Sequence, residues 1–410
     1  MGIRYRMNPA LGLPILSAVL RAAGHECEVI DLEAAGIGPD RLGAAFAAQR
    51  DKWPDVVGFT ALTSSARGAR ESIAAIRKAG YGGKVIVGGP HATLAPEEAL
   101  SWGADTVVVG ECERNVVQAL TTAGVVNGKP APIDAIPAPD WSHHHPSPAL
   151  YEGNAPHLGR PEGISMWSRG CPSACIFCGN PVFGGSRKRY RPVEAVAAEM
   201  ADLQRRGVRS VFVYDDELIG SRLPAGWLAD LEGRLAPLGL VWKTQGRCSA
   251  RHVTPAVLQS VYRAGCRVVM WGVESFSQKV LDANKKGTTV DDIWTVLRAS
   301  KAAGLKNWVF TMVGMYQETD EDAAMTAAAL EQAYREGLID YRQTTVCTVQ
   351  PQTPLEGMAK EQGWFVQPPE AGPQMHQAYT STPWMTKERI AYWLNRYAQA
   401  CPVDYRGRAA

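Results

Sequence analysis

The chain has 410 residues and a mass of 44.4 kDa, enough to bury about three-quarters of its unfolded surface and long for a single domain. With 46% apolar residues, 20% charged residues and a net charge of +2, it is neither disordered nor collagenous, and its basic excess is too small for a dedicated polyanion binder. Nine cysteines are too few for a disulfide scaffold, and three of them within eight residues point to metal or redox chemistry in a reducing compartment, hence the cytoplasm.

No run reaches the roughly 18 apolar residues a bilayer span needs, so no membrane partner is expected. Residues 10–20, behind Arg4 and Arg6, imitate a secretory signal, but Arg21 interrupts the place for a cleavage site and Gly24 stops a helix, so 13–23 is read as a first helix. Ahead of it, Ile3-Arg-Tyr-Arg-Met7 makes a poor central strand because two arginines break the apolar run; either the strand is degenerate or the reading frame starts late. Strands are then predicted at 26–32, 55–60, 84–87 and 106–109, with helices at 40–49, 66–79 and 96–101. This alternation implies parallel strands with crossover helices, a doubly wound flavodoxin- or Rossmann-like α/β domain over 1–124. Ligands in such sheets sit at the carboxyl ends of the strands. Gly58-Phe-Thr-Ala-Leu-Thr-Ser-Ser65 and Gly88-Gly-Pro-His-Ala-Thr93 there are small enough to admit one.

Residues 125–161 are rich in proline and read as a linker; its His143 to His145 point in different directions from an extended chain and suit a metal poorly. A second alternation fills 162–355. Strands are predicted at 164–167, 210–214, 241–245, 267–272, 307–313 and 341–349, with helices at 192–206, 225–235, 255–264, 291–303 and 321–336. Six βα repeats imply a partial (β/α)6 barrel with its catalytic mouth at the strands' carboxyl ends. Residues 356–410 form a short cap, where Ile390, Trp393, Leu394 and Tyr397 share one helix face.

The sharpest signal is Cys171-Pro-Ser-Ala-Cys175-Ile-Phe-Cys178, after the first strand of the second repeat series. Three thiolates on one short loop can hold an iron–sulfur cube, and with no local fourth cysteine one iron stays open, as a catalytic zinc keeps an open position. Structural zinc, completed by His157 or His252, is the bland alternative.

This Cys-x3-Cys-x2-Cys loop resembles the signature of radical S-adenosylmethionine (SAM) enzymes. The resemblance implies a [4Fe-4S] cluster on Cys171, Cys175 and Cys178, with SAM chelated to the open iron and cleaved to a 5′-deoxyadenosyl radical. Phe177 matches the aromatic position beside the adenine. Further matches are Tyr214-Asp-Asp-Glu217, Gly272-Val-Glu-Ser275 and Val313-Gly-Met-Tyr-Gln-Glu-Thr319. By resemblance, Asp215 and Asp216 lie at the SAM ammonium, Glu274 and Ser275 near the ribose, Arg247 at the carboxylate and Gly314 on the remaining SAM-binding turn. That turn departs from the usual Gly-x-Pro-Gly-Glu-Thr pattern.

The first domain resembles the cobalamin-binding domain fused to one class of these enzymes, in Pro9-Ala-Leu-Gly-Leu13, Gly58-Phe-Thr-Ala-Leu-Thr63, Val87-Gly-Gly-Pro-His-Ala-Thr93 and Gly110-Glu111. This implies cobalamin contacts at Leu11, Thr60, Leu62, Thr63, Ser64, Gly88, Gly89, Pro90, His91, Gly110 and Glu111. The Asp-x-His-x-x-Gly loop is absent, Met7-Asn-Pro-Ala-Leu-Gly12 standing in its slot, so no protein histidine is expected on cobalt. A turn or helix-start role for His91 is the bland alternative.

The implied activity is methylation of an unactivated carbon in a small molecule or peptide, fed by an external flavodoxin- or ferredoxin-type electron donor. A cobalamin-dependent cyclisation or rearrangement, or a non-catalytic cobalamin or iron–sulfur sensor, is the alternative. Methylthiolation of transfer RNA needs a second cysteine trio, but the first domain has only Cys27 and Cys112. The short basic run Arg187-Lys-Arg-Tyr-Arg191 does not make a nucleic-acid surface.

Overall fold

The computed structural model describes residues 8–153, 158–365 and 380–404. The expected first strand at 3–7, and His157, lie outside them.

Helix α1 (Gly12–Ala22) opens the described chain, followed by a two-residue strand β1 (Val29–Ile30) and α2 (Pro39–Ala48). The strand expected over 26–32 shrinks to β1 because it has no place in the main sheet. It pairs with β6 (His144–His145) of the linker instead, Val29 N–H donating to His143 O and Asp31 N–H to His145 O. The main sheet of this half is β2 (Val56–Thr60), β3 (Lys84–Gly88), β4 (Thr106–Val109) and β5 (Gly124–Asn127), all parallel and in that order. Its β-branched runs bury Val85, Val87 and Val107 completely, as a strand covered on both faces requires. Helices α3 (Ala66–Lys78), α4 (Pro90–Leu94), α5 (Pro96–Ser101) and α6 (Val116–Ala119) accompany it. Gly124–Asn127 falls across the expected start of the linker; Val125 and Val126 continue the sheet beyond β4 rather than leaving it.

The linker is packed, not free. His144 is buried between the rings of Trp141 and Tyr151, with Nδ1 2.9 Å from Pro146 O. His143 is half-buried and His145 exposed.

The second half begins with β7 (Glu162–Ser165). A small antiparallel hairpin, β8 (Ser168–Arg169) with β9 (Arg189–Tyr190), brackets the cysteine loop and the short α7 (Asn180–Phe183). Then come α8 (Val193–Arg205), β10 (Ser210–Val213), α9 (Trp227–Leu235), β11 (Val241–Arg247), α10 (Pro255–Arg263), β12 (Cys266–Glu274), α11 (Gln278–Ala283), α12 (Val290–Ala302), β13 (Lys306–Val313), α13 (Asp320–Arg335), β14 (Tyr341–Val346), α14 (Pro354–Gln362) and α15 (Lys387–Ala400). Six parallel strands run β7, β10, β11, β12, β13, β14, each beside its predecessor, the open half-barrel that six βα repeats imply. Two helix starts are set by reciprocal capping, Thr289 with Asp292 and Thr319 with Asp322.

The convex face buries Val211, Val213, Trp242, Val269, Trp271, Val309 and Val313 under the helices. Ile390, Trp393 and Tyr397 of α15 join this core beside α13 and β14, so the cap flanks the last strand. Among the described residues no helix is long and apolar enough to cross a membrane.

Candidate active site

The cysteine loop leaves β8 at Gly170 and is fastened at several points. Ile176 N–H donates to Asn284 O at the end of α11, and Ile176 O accepts from Leu355 N–H of α14. Asp215, at the end of β10, accepts from Trp167 N–H at 2.7 Å and Ser168 Oγ–H at 2.5 Å, and Asp216 accepts from Gly170 N–H at 3.0 Å. Both aspartates therefore organise the root of the loop. Asp215 is completely buried among its donors, whereas Asp216 is exposed and keeps acceptor capacity beyond the Gly170 N–H.

Burial raises the Cys175 thiol and pushes Cys178 up to about 11. Deprotonation at neutral pH then needs compensating charge. Asn180 N–H lies 3.4 Å from Cys178 Sγ, and the cations of Lys286 and Arg247 lower both thiols or one of them, respectively. Buried thiols with an N–H donor and cations close by are what thiolate ligands require. Among the described residues no group of three or more His, Cys, Asp or Glu converges on a single metal ion. A mononuclear zinc needs its ligands gathered about one point, whereas a cube takes its three thiolates on three separate irons.

Lys286 is the residue the sequence concealed. It lies between α11 and α12, distant in sequence from every motif, yet its Nζ is 2.8 Å from Glu274 Oε1 at the end of β12. Burial alone would depress it, but Glu274 and the Cys175 thiol hold it above its ordinary value. Glu274 itself takes a left-handed backbone, φ +66°, a conformation an L residue adopts only where its surroundings enforce it. Gly272 leaves room for the pair, since a Cβ there would stand 2.8 Å from Glu274 Oε1 and 3.0 Å from Lys286 Nζ. Arg247 donates from Nε to Thr288 Oγ1 and from Nη1 to Ser173 Oγ of the cysteine loop. Phe177 is half-buried against Ile176, Met315 and Trp364. Ser275 does not fit the expected ribose contact: it is completely buried, facing Thr326 Oγ1 and accepting from Ser277 N–H.

After β13, Gly314 turns at φ +81° and Glu318 holds the turn by accepting from Gly314 N–H at 2.6 Å and Met315 N–H at 3.1 Å. Burial raises both Glu318 and Asp215 to about 7. In the folded protein these protons stay on up to about pH 7, while the unfolded chain releases them near its ordinary values of 4.5 and 3.8. Stability of the cofactor-free protein should therefore fall as pH rises through that window, by up to about 1.4 kcal/mol per pH unit for each group. Glu318→Gln keeps an acceptor for both N–H groups and should flatten the slope between urea melts at pH 5 and pH 7; an unchanged slope would place the second proton elsewhere.

On the other half, the carboxyl ends of β2, β3 and β4 present the expected cofactor edge. Thr60 and Ser64 are exposed, Leu62 is 49% exposed, and Thr63, Gly88, Pro90 and Gly110 are half-buried. Gly89 turns at φ +95°, where a Cβ would meet Thr60 Oγ1 at 2.6 Å. An apolar, hydroxyl-bearing edge free of bulky side chains suits the flank and tail of a corrin. His91 does not reach this edge: it is buried, stacked on Trp102 with centroids 5.4 Å apart, and has Glu98 at 3.5 Å. Leu11 likewise packs into the core beside Ile15. Glu111 is held by two arginines of the other half. Arg169 donates to Glu111 at 3.0 Å and Glu113 at 2.6 Å, and Arg189 also grips Glu111. Arg169 stands two residues before Cys171, so the clamp ties the end of β4 to the root of the cysteine loop. Gln352 reaches Leu94 O at 2.5 Å, and Gly179 lies against Leu94. The two sets of strand ends face each other.

Comparison with known proteins agrees with this arrangement. The B12 binding domain family matches residues 5–120 and the Radical SAM superfamily matches residues 166–330. An uncharacterised methyltransferase of Pyrococcus horikoshii is 29% identical over 85% of this chain and 78% of its own length. The bacteriochlorophyllide d C-12(1)-methyltransferase of Chlorobaculum tepidum is 30% identical over 57% of this chain and 51% of its own. Among solved structures, the radical SAM methyltransferase TsrM from Kitasatospora setae, with tryptophan substrate and a SAM analogue bound, superposes with a TM-score of 0.68 over 86% of this chain and 74% of its own, at 21% identity. The chain thus carries a B12 binding domain followed by a radical SAM domain, the domain pair of cobalamin-binding-domain-containing radical SAM enzymes.

Proposed function

We infer that the protein methylates an unactivated carbon of a small molecule or peptide, using SAM both as methyl donor and as radical source. The observation that supports this reading is the Arg169 clamp, which fastens the root of the cysteine loop to the carboxyl-end edge of the first domain's sheet. When bound, the cluster on Cys171, Cys175 and Cys178 supplies the electron that breaks SAM into methionine and a 5′-deoxyadenosyl radical, and cobalamin carries the methyl group.

The chain's own residues position these groups. Asp215 and Asp216 fix the loop, Lys286 and Arg247 offset the charge of the thiolates, and Glu274 and Gly314 border the SAM site. Thr60, Leu62, Thr63, Ser64, Gly88, Gly89, Pro90 and Gly110 line the corrin edge. His91 is buried against Trp102, and the reading takes cobalt to carry no protein imidazole. The electron is taken to come from an external flavodoxin- or ferredoxin-type protein.

Two uses of SAM leave two products, and that is the test. Anaerobic protein with reconstituted cluster, SAM, hydroxocobalamin and a strong reductant should form S-adenosylhomocysteine, left when the methyl group departs, and 5′-deoxyadenosine, left by reductive cleavage. Deoxyadenosine without adenosylhomocysteine would favour a cyclisation or rearrangement, and neither product would favour a sensor.

A further inference from the structure

The concave face of the half-barrel is built in two layers. In the lower layer Phe212, Lys243, Val268, Met270, Trp308 and Tyr341 are all buried. Lys243 Nζ lies 2.8 Å from both Glu162 oxygens and 4.7 Å from the Phe212 ring centroid, so the charges of this layer cancel within it. Two residues further along each strand, side chains point to the same face. There the layer changes character: Tyr214 is 46% exposed, and Gln245, Phe310, Met312, Gln343 and Thr345 are half-exposed. This step from buried to open on β10, β11, β13 and β14, either side of β12, makes a cup. Tyr214 stands edge-on to Phe212 at 5.1 Å, and Phe310 lies 6.2 Å from Trp308, so both aromatic walls rest on the floor below.

The polar groups of the upper layer are all uncharged. Among the described residues the side chains of Tyr214, Gln245, Gln343 and Thr345 make no hydrogen bond or ion pair. The charged groups at the rim are engaged: Lys286 with Glu274, and Arg247 with Ser173 and Thr288. A carboxylate or phosphate entering the cup would lose its hydration and meet no cation in return, a penalty an uncharged group escapes. A primary amide offers one donor and one acceptor side by side, which matches another amide or the edge of a nitrogen heterocycle. Phe310, Met312 and Tyr214 supply apolar surface for a flat body.

We propose that Gln245 and Gln343, with Tyr214 and Thr345, read the substrate, and that the portion it inserts is an uncharged, flat, amide- or lactam-edged group. This rests on the reading of the protein as a radical SAM methyltransferase for the word substrate, but the test does not depend on turnover. Protein carrying cluster, cobalamin and SAM, without reductant, is titrated by equilibrium dialysis with three probes of one size: indole-3-acetamide, indole-3-acetate and tryptamine. The amide should bind at least tenfold more tightly than the acetate, and Gln343→Glu should shift preference at least tenfold toward tryptamine. Equal or tighter binding of the acetate, an unmoved preference in Gln343→Glu, or no measurable binding of any probe overturns the proposal. Because no reductant is present, failure of the methyl-transfer assay would remove the activity and leave this result standing.

Discussion

Cys175→Ala should strip the reconstituted protein of its iron–sulfur absorbance and lower 5′-deoxyadenosine formation by more than about a hundredfold, a loss of about 2.7 kcal/mol or more in barrier terms. Cys401→Ala should leave both intact. The contrast follows from where the two thiols stand. Cys175 sits on a loop pinned by Asn284, Leu355, Asp215 and Asp216, with Lys286 and Arg247 near its sulfur. Removing one of three thiolates from a cube that already has an open corner leaves two protein ligands, too few to hold it. Cys401 closes α15, where its carbonyl accepts from Arg342 Nε–H; the backbone group survives substitution, and the missing sulfur should cost about 1 kcal/mol of packing. Iron content, visible absorbance and deoxyadenosine yield measured together decide the matter, and equal loss in both variants would contradict the cluster assignment.

Arg169→Met should destabilise the protein by about 3 kcal/mol, the lower end of what removing one partner of a buried ion pair costs. The Arg169 side chain keeps 14% exposure and Glu113 9%, and Arg189 still holds Glu111, so the one carboxylate stranded, Glu113, is screened only a little by water. Methionine preserves the length of the side chain and isolates the charge. Adding Glu113→Gln to Arg169→Met removes the stranded negative charge and should regain part of the loss. Urea unfolding of the three proteins reads this directly. If Arg169→Met unfolds like the parent, the clamp contributes nothing to holding the two halves together.

The strands were legible because burial on both faces writes a continuous apolar run, as in Val85 to Val87 and Val211 to Val213. The cysteine trio was legible because its ligands are neighbours in sequence. What escaped notice depends on partners brought together only by folding. Lys286 looks like any surface lysine after Lys285, and its role appears only when β12 delivers Glu274 to it. Arg169 reads as one basic residue among many until β4 presents Glu111 and Glu113. The opposite error arose at Ser275 and Leu11: each lies inside a stretch that resembles a cofactor motif, but packing against Thr326 and against Ile15 turns the side chain into the core. A motif locates a stretch of backbone; which of its side chains face the ligand is settled by the register of the strand and the helix behind it. The sheet join at Gly124–Asn127 was hidden for a related reason, since a four-residue edge strand beside prolines carries too little periodicity to stand out.

The sealed floor of the half-barrel gives binding a direction. With Lys243, Glu162, Trp308 and Val268 without solvent exposure, the described floor gives a bound molecule no passage through itself, so what rests above it is approached from the carboxyl ends of the strands, where Arg247, Glu274 and Gly314 stand.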